Sequence, residues 1–167
     1  MPFLVSLFFG FVPMFIFAAF VYWLDRYEKE PKVLFGAAFF WGVVIAAGGA
    51  FIINTVFGIG IYVFTGSEGA AEMGTTSIVA PIVEEFLKGL AVAIVFFMFY
   101  KEFDSILDGI IYGAVAALGF AATENTLYIF RNGYQEGGWE GLFVLAFVRV
   151  ILVGWQHPFY TAFTGIG

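Results

Sequence analysis

The stretch Ile78-Val79-Ala80-Pro81-Ile82-Val83-Glu84-Glu85-Phe86-Leu87-Lys88-Gly89-Leu90 sets two adjacent carboxylates and a lysine inside an apolar run. On insertion scales each charge inside hydrocarbon costs at least about 2.5–3.5 kcal/mol. A chain that keeps two carboxylates there uses them, for chemistry, for transport or for structure. The surrounding sequence narrows that choice.

Composition defines the class. Hydrophobic residues make up 62% of the 167 residues and charged residues 12%, against about 25% charged in a typical soluble domain. Residues 1–24 carry no charge and are long enough to span a bilayer. They lack a basic leading segment, and Arg26, Lys29 and Lys32 follow the apolar run instead of preceding it, so the run reads as a retained anchor and not a cleaved signal. No charge occurs from Val33 to Ser67, a run too long for one straight span and too short for two with a turn. A net charge of −6 argues against a nucleic-acid partner, and the absence of cysteine excludes thiol catalysis, disulfides and thiolate metal sites.

The pattern predicts an all-α, polytopic transmembrane helix bundle with about five spans, near 3–24, 34–57, 78–100, 105–130 and 142–164. Residues 1–167 read as one membrane-embedded domain. Aromatic residues at several span ends (Tyr22, Trp23, Tyr27, Tyr100, Tyr134, Trp139) fit an interfacial belt. Loops are expected around 58–77 and 131–141. Arg26, Lys29, Lys32 and Lys101 fall in the connections after the first and third spans, and Arg131 alone in the other two, which places the N-terminus outside the cell membrane. The chain ends at Phe163-Thr164-Gly165-Ile166-Gly167 without a polar cap, which reads as a chain cut short, with further helices expected beyond.

The first two spans are charge-free. Between Glu72 and Arg149 no charge-free window reaches 18 residues, so the later spans must turn polar faces towards one another or towards a water-filled cavity. Gly109 and Gly113, followed by Ala114, Ala116, Ala117 and Gly119, read as a close helix contact.

Three spans carry candidate chemistry. On the third, Glu84 and Lys88 share a helical face at i,i+4, while Glu85 points about 100° away. Lys88 would thus neutralise one carboxylate and leave the other for a cavity, with Pro81 starting or kinking the helix. On the fourth, Glu124 and Asn125 follow a charge-free run from Gly109 to Thr123, and Asp104 and Asp108 near its start read as a helix cap. On the fifth, Arg149, His157 and Thr161 lie near one face, with Pro158 loosening the backbone after the chain's only histidine. Carboxylates with a histidine suit water activation: a buried carboxylate takes a proton from water, and the imidazole orients or stabilises the developing oxyanion. The same groups suit a divalent metal such as zinc, held by His157, Glu85 and Glu124, although one His with several Glu is an unusual zinc set. His-Glu-x-x-His, Gly-x-Ser-Gly and Gly-x-Gly-Asp are all absent.

Together these residues resemble the PrsW family of intramembrane proteases, itself similar to the CAAX-processing and bacteriocin-processing membrane proteases. The resemblance rests on Glu84-Glu85-Phe86-Leu87-Lys88, Phe120-Ala121-Ala122-Thr123-Glu124-Asn125 and His157-Pro158-Phe159-Tyr160-Thr161, with support from Trp23 to Pro31 and Phe103 to Gly109. It implies a glutamate-dependent endopeptidase cutting a membrane-anchored protein or peptide near the bilayer surface. Glu84 and Glu85 would supply the base, and Glu124 and His157 would position water or the oxyanion. Lys88, Asn125, Asp108, Arg149 and Thr161 would support them.

Depth poses a condition. At about 1.5 Å per residue, Glu124 lies roughly 10 Å below the outer surface and His157 roughly 20 Å if the last span starts at Gly141. A shared site then calls for residues 139–147 along the interface and a span starting near Val148. Two other readings stand beside the protease: an inactive scaffold or adaptor of the same fold, and a proton-coupled transporter using the carboxylates as relays.

Overall fold

Residues 106–166 double back as a helical hairpin, and the preceding helices pack around its first arm. The computed structural model describes residues 1–25 and 29–167, which form helices and their connections with no strand. Arg26, counted above for orientation, Tyr27, assigned to the aromatic belt, and Glu28 lie outside the described residues. α1 is Pro2–Leu24. α2 is Lys32–Thr65, interrupted by a π-helical stretch at Trp41–Ala46. α3 covers 68–98 and widens into a π-helical stretch at Thr75–Val79, just before Pro81. α4, Ile106–Tyr128, continues through a π-helical stretch at Ile129–Gln135. α5, Glu136–Phe147, runs into another at Val148–Leu152, and α6, Gln156–Ile166, follows a break at 153–155.

The hairpin reverses at Gly138, whose φ of 63° suits a residue without a side chain. One register then runs its whole length. Gly133 meets Gly141, Asn125 meets Arg149, Gly113 meets Thr161, and Gly109 meets Gly165. At the last pair the two backbones touch, and a Cβ on Gly109 would overlap the Gly165 carbonyl. This is the close contact read from the small residues of α4.

α4 forms the centre. Tyr112, Val115, Leu118 and Ala121 pack with Met14 of α1 and Phe39 of α2. The outer surface is apolar: Phe64 is 93% exposed and Phe97 76%, while Lys88 is fully buried. Apolar faces of that extent belong against lipid, with polar groups inside. By length and composition, three helices are fit to cross a membrane among the described residues: Pro2–Leu24, Lys32–Thr65 and the hairpin Ile106–Ile166. α3 has comparable length but carries Glu84, Glu85 and Lys88.

The connections differ from expectation. The loop placed at 58–77 shrinks to Gly66 and Ser67: Gly66 closes α2 in the left-handed conformation, and the Ser67 side chain caps the first turn of α3. The long charge-free run is therefore one helix. The Gly-rich loop at 131–141 is also helical on both sides of Gly138. Pro158 does not loosen a running helix. It sits in the first turn of α6, where its missing N–H would have no intrahelical partner.

Candidate active site

Lys88 is the hub. Its ammonium, with no solvent exposure, lies 2.7 Å from Glu85 Oε1, 3.0 Å from His157 Nδ1 and 3.7 Å from Glu84 Oε2. It also lies 4.2 Å from the centre of the Phe120 ring, a cation–π distance. Lys88 thus holds Glu85 more tightly than Glu84. The i,i+3 and i,i+4 partners are both within reach on one helix. Glu85 is the closer because Thr161 of α6 donates to its other oxygen at 2.8 Å, fixing its orientation.

His157 passes the network to α4. Its Nε2 lies 2.8 Å from Glu124 Oε2. Glu124 also takes a hydrogen bond from Arg149, whose Nε donates to Asn125 Oδ1 at 2.8 Å and whose guanidinium lies over the Tyr128 ring. An ammonium can only donate. Nδ1 of His157 therefore accepts from Lys88, and the ring proton sits on Nε2, directed at Glu124. One chain of polar contacts joins Thr161, Glu85, Lys88, His157, Glu124, Arg149 and Asn125 across α3, α4, the end of α5 and α6.

The two layouts for depth resolve differently from either expectation. Residues 139–147 do not leave the bundle: Leu142 and Ala146 are buried, and Phe143 packs on Phe9 of α1. Glu124 and His157 meet all the same, with His157 Nε2 and Glu124 Oε2 2.8 Å apart, because both side chains extend towards each other.

Glu84 has a separate position. It is 17% exposed, and with Glu124 it lines a cavity of about 370 Å³ between α2, α3 and α4. Asn54, Thr75, Thr123 and Arg131 line the same space. Asp108 joins none of this. Its carboxylate accepts from the Asp104 and Ser105 amides at 2.9 and 2.8 Å, in a capping box at the start of α4. Phe120 was visible only as part of a motif, and Asn54 and Thr75 not at all, because a polar residue on an apolar span gives no sign of which neighbour it faces.

Among the described residues no group of three or more His, Asp or Glu is gathered in a metal-holding geometry. Both imidazole nitrogens of His157 are engaged, and Glu85 and Glu124 point at Lys88 and Arg149. The set His157, Glu85 and Glu124 does not fit a metal as arranged.

The protein named Protease PrsW of Geobacillus kaustophilus is 30% identical over 157 residues, covering 93% of this chain and 62% of that protein. Protease PrsW of Bacillus subtilis is 31% identical over 144 residues, covering 86% of this chain and 58% of that one. The Clostridioides difficile protein of the same name is 34% identical over 116 residues, 67% of this chain and 46% of that one. The chain therefore spans less than two thirds of the length of these relatives. No solved structure matches it. The pattern described as PrsW family intramembrane metalloprotease matches residues 30–167, which take in every residue of the polar network, and the chain belongs to that family.

Proposed function

We propose that this protein is an intramembrane endopeptidase in which Glu84 is the base that activates water. The observation that carries the reading is the division among the glutamates: Glu85 lies 2.7 Å from Lys88 and Glu124 is paired with Arg149, while Glu84, which shares the cavity with Glu124, has Lys88 only at the longer distance of 3.7 Å. A water between Glu84 and the scissile carbonyl gives its proton to the Glu84 carboxylate as its oxygen bonds to the carbonyl carbon. The charge that develops on the carbonyl oxygen lies within the field of Lys88 and the Nε2–H of His157. Collapse breaks the C–N bond, and the proton on Glu84 passes to the departing amine. Arg149 and Asn125 keep Glu124 in place, and Thr161 keeps Glu85.

The family description names a metal. The donor set as arranged does not fit one, so no step is derived through it. The substrate class is a membrane-anchored protein or peptide. The distribution of Lys29, Lys32 and Lys101 against Arg131 supports a multi-pass cell-membrane protein with its N-terminus outside.

The test is cleavage of single-span substrates by full-length protein in proteoliposomes, with Glu84→Gln, Glu85→Gln and His157→Ala, each with and without chelator. Cleavage lost in Glu84→Gln and kept under chelation is expected. Loss under chelation with rescue by zinc would replace this mechanism with a metal-dependent one. Full activity in Glu84→Gln would remove Glu84 from the base role.

A further inference from the structure

Four threonines on the apolar helices satisfy themselves. Thr55, Thr65, Thr76 and Thr126 each donate to the carbonyl four residues back, at 2.7, 2.7, 2.8 and 2.8 Å. Thr123 donates across to the Val43 carbonyl at 2.9 Å. Thr75 does neither. Among the described residues, Thr75 Oγ1 and Asn54 Oδ1 are the buried side-chain oxygens with no hydrogen-bond partner in the protein. Both line the cavity that holds Glu84 and Glu124. Thr75 opens the π-helical stretch of α3, where the turn is wider. A buried polar group without a partner is costly, and native proteins rarely carry one without a use.

We infer that Asn54 and Thr75 hydrogen-bond the main chain of a polypeptide segment unwound in this cavity, and so set which peptide bond is presented to Glu84. The inference rests on the proteolytic reading. A transmembrane helix shields its carbonyls by its own hydrogen bonds, so a segment must unwind before a carbonyl can be attacked. Unwound backbone in apolar surroundings needs replacement partners. An asparagine carboxamide offers one acceptor and two donors, matching a peptide unit edge to edge, and a threonine hydroxyl rotates to donate or accept. The neighbouring Thr76 and Thr123 are already committed, which leaves these two for the substrate. Selection by backbone contacts favours segments that unwind easily over any particular side chain.

The experiment uses full-length protein carrying Glu84→Gln, so that binding is read without cleavage. The probes are fluorescent single-span peptides with a Gly-Gly pair near one end, and versions in which successive amides are replaced by esters. Asn54→Leu and Thr75→Val are expected to weaken binding about tenfold each, as the loss of a buried hydrogen bond does. One ester position should weaken binding to the Glu84→Gln protein yet add nothing in the Asn54→Leu background. In the active protein the same variants should raise KM and leave kcat within about twofold. Additive penalties at every ester position would overturn the inference, as would a fall in kcat at unchanged KM, which would assign the pair to holding water. Failure of every peptide to bind a folded protein would also overturn it. Should Asn54→Leu not fold, Thr75→Val carries the same test with its nearly unchanged shape. Binding and coupling without cleavage by the wild type would remove the proteolytic reading, and with it the presentation of a bond to Glu84, while leaving the backbone contacts of Asn54 and Thr75 standing.

Discussion

Lys88 Nζ lies 3.0 Å from His157 Nδ1, and through that contact a residue of α3 decides which ring nitrogen of α6 carries the proton. The Nε2–H then faces Glu124 because Lys88 occupies the other side. The tautomer, the orientation of Glu85 and the position of the Phe120 ring all depend on one buried ammonium.

Removing that ammonium is expected to harm the fold before it harms the chemistry. Lys88→Met leaves Glu85 without its cation and His157 without its donor. Breaking a buried pair costs roughly 3–5 kcal/mol. Unfolding in detergent should show a loss of that order, and Lys88→Met with Glu85→Gln should recover part of it.

Arg149→Lys keeps the charge and loses the fork that bridges Asn125 and Glu124. The expected outcome is a fall in cleavage of roughly 10–100-fold, as when an orienting partner is removed. Thermal stability should change little. Arg149→Lys at full activity would show that positive charge alone is enough.

Stability should depend on pH through Glu30, in the connection between α1 and α2. Its amide donates to Asp25 Oδ2 at 2.8 Å, and its carboxylate takes the Tyr112 hydroxyl. Burial pushes the Glu30 carboxyl up from 4.5 to about 7; the Tyr112 hydrogen bond opposes this, and Asp108 and Asp25 act in the same sense as burial. The folded state therefore binds the proton more tightly than the unfolded state. Its contribution is complete below 4.5 and is lost as the pH rises through about 7. Melting temperature measured across that range should fall with pH in the wild type and flatten in Glu30→Gln.

Gly109→Val should act at a distance. The new side chain overlaps the Gly165 carbonyl and pushes α6 from α4, at a cost of about 1–3 kcal/mol for overpacking. Because α6 also carries His157 and Thr161, cleavage should drop with stability, whereas Gly48→Ala, which meets open space, should change neither.

The cost of charge in apolar sequence made Glu84, Glu85, Lys88 and Glu124 legible, and rarity singled out His157. The helix-cap role of Asp108 was legible too, from acids at the start of the helix, although Ser105 and not Asp104 is the N-cap. The partner of Lys88 was not. Spacing permits either glutamate, and Thr161 from a helix some seventy residues away makes the choice. Gly58 and Gly60 suggested a loop, but their apolar neighbours hold them in α2, and only Gly66 breaks it. The π-helical stretches leave no mark on hydrophobic periodicity, since their apolar residues face both lipid and core. Asn54 and Thr75 were invisible because their spacing does not say which neighbour they face.

The hairpin register also bears on how the chain enters the bilayer. Lys88 has its counter-ion three residues away on the same helix, so α3 can close that pair as soon as it coils, before it meets hydrocarbon. Glu124 has no such neighbour on α4. Its cation, Arg149, arrives on the returning arm, past the reversal at Gly138. Glu124 is thus paired only once the returning arm is in place beside the first. The Glu85 pair is closed within one helix, and the Glu124 pair only by two.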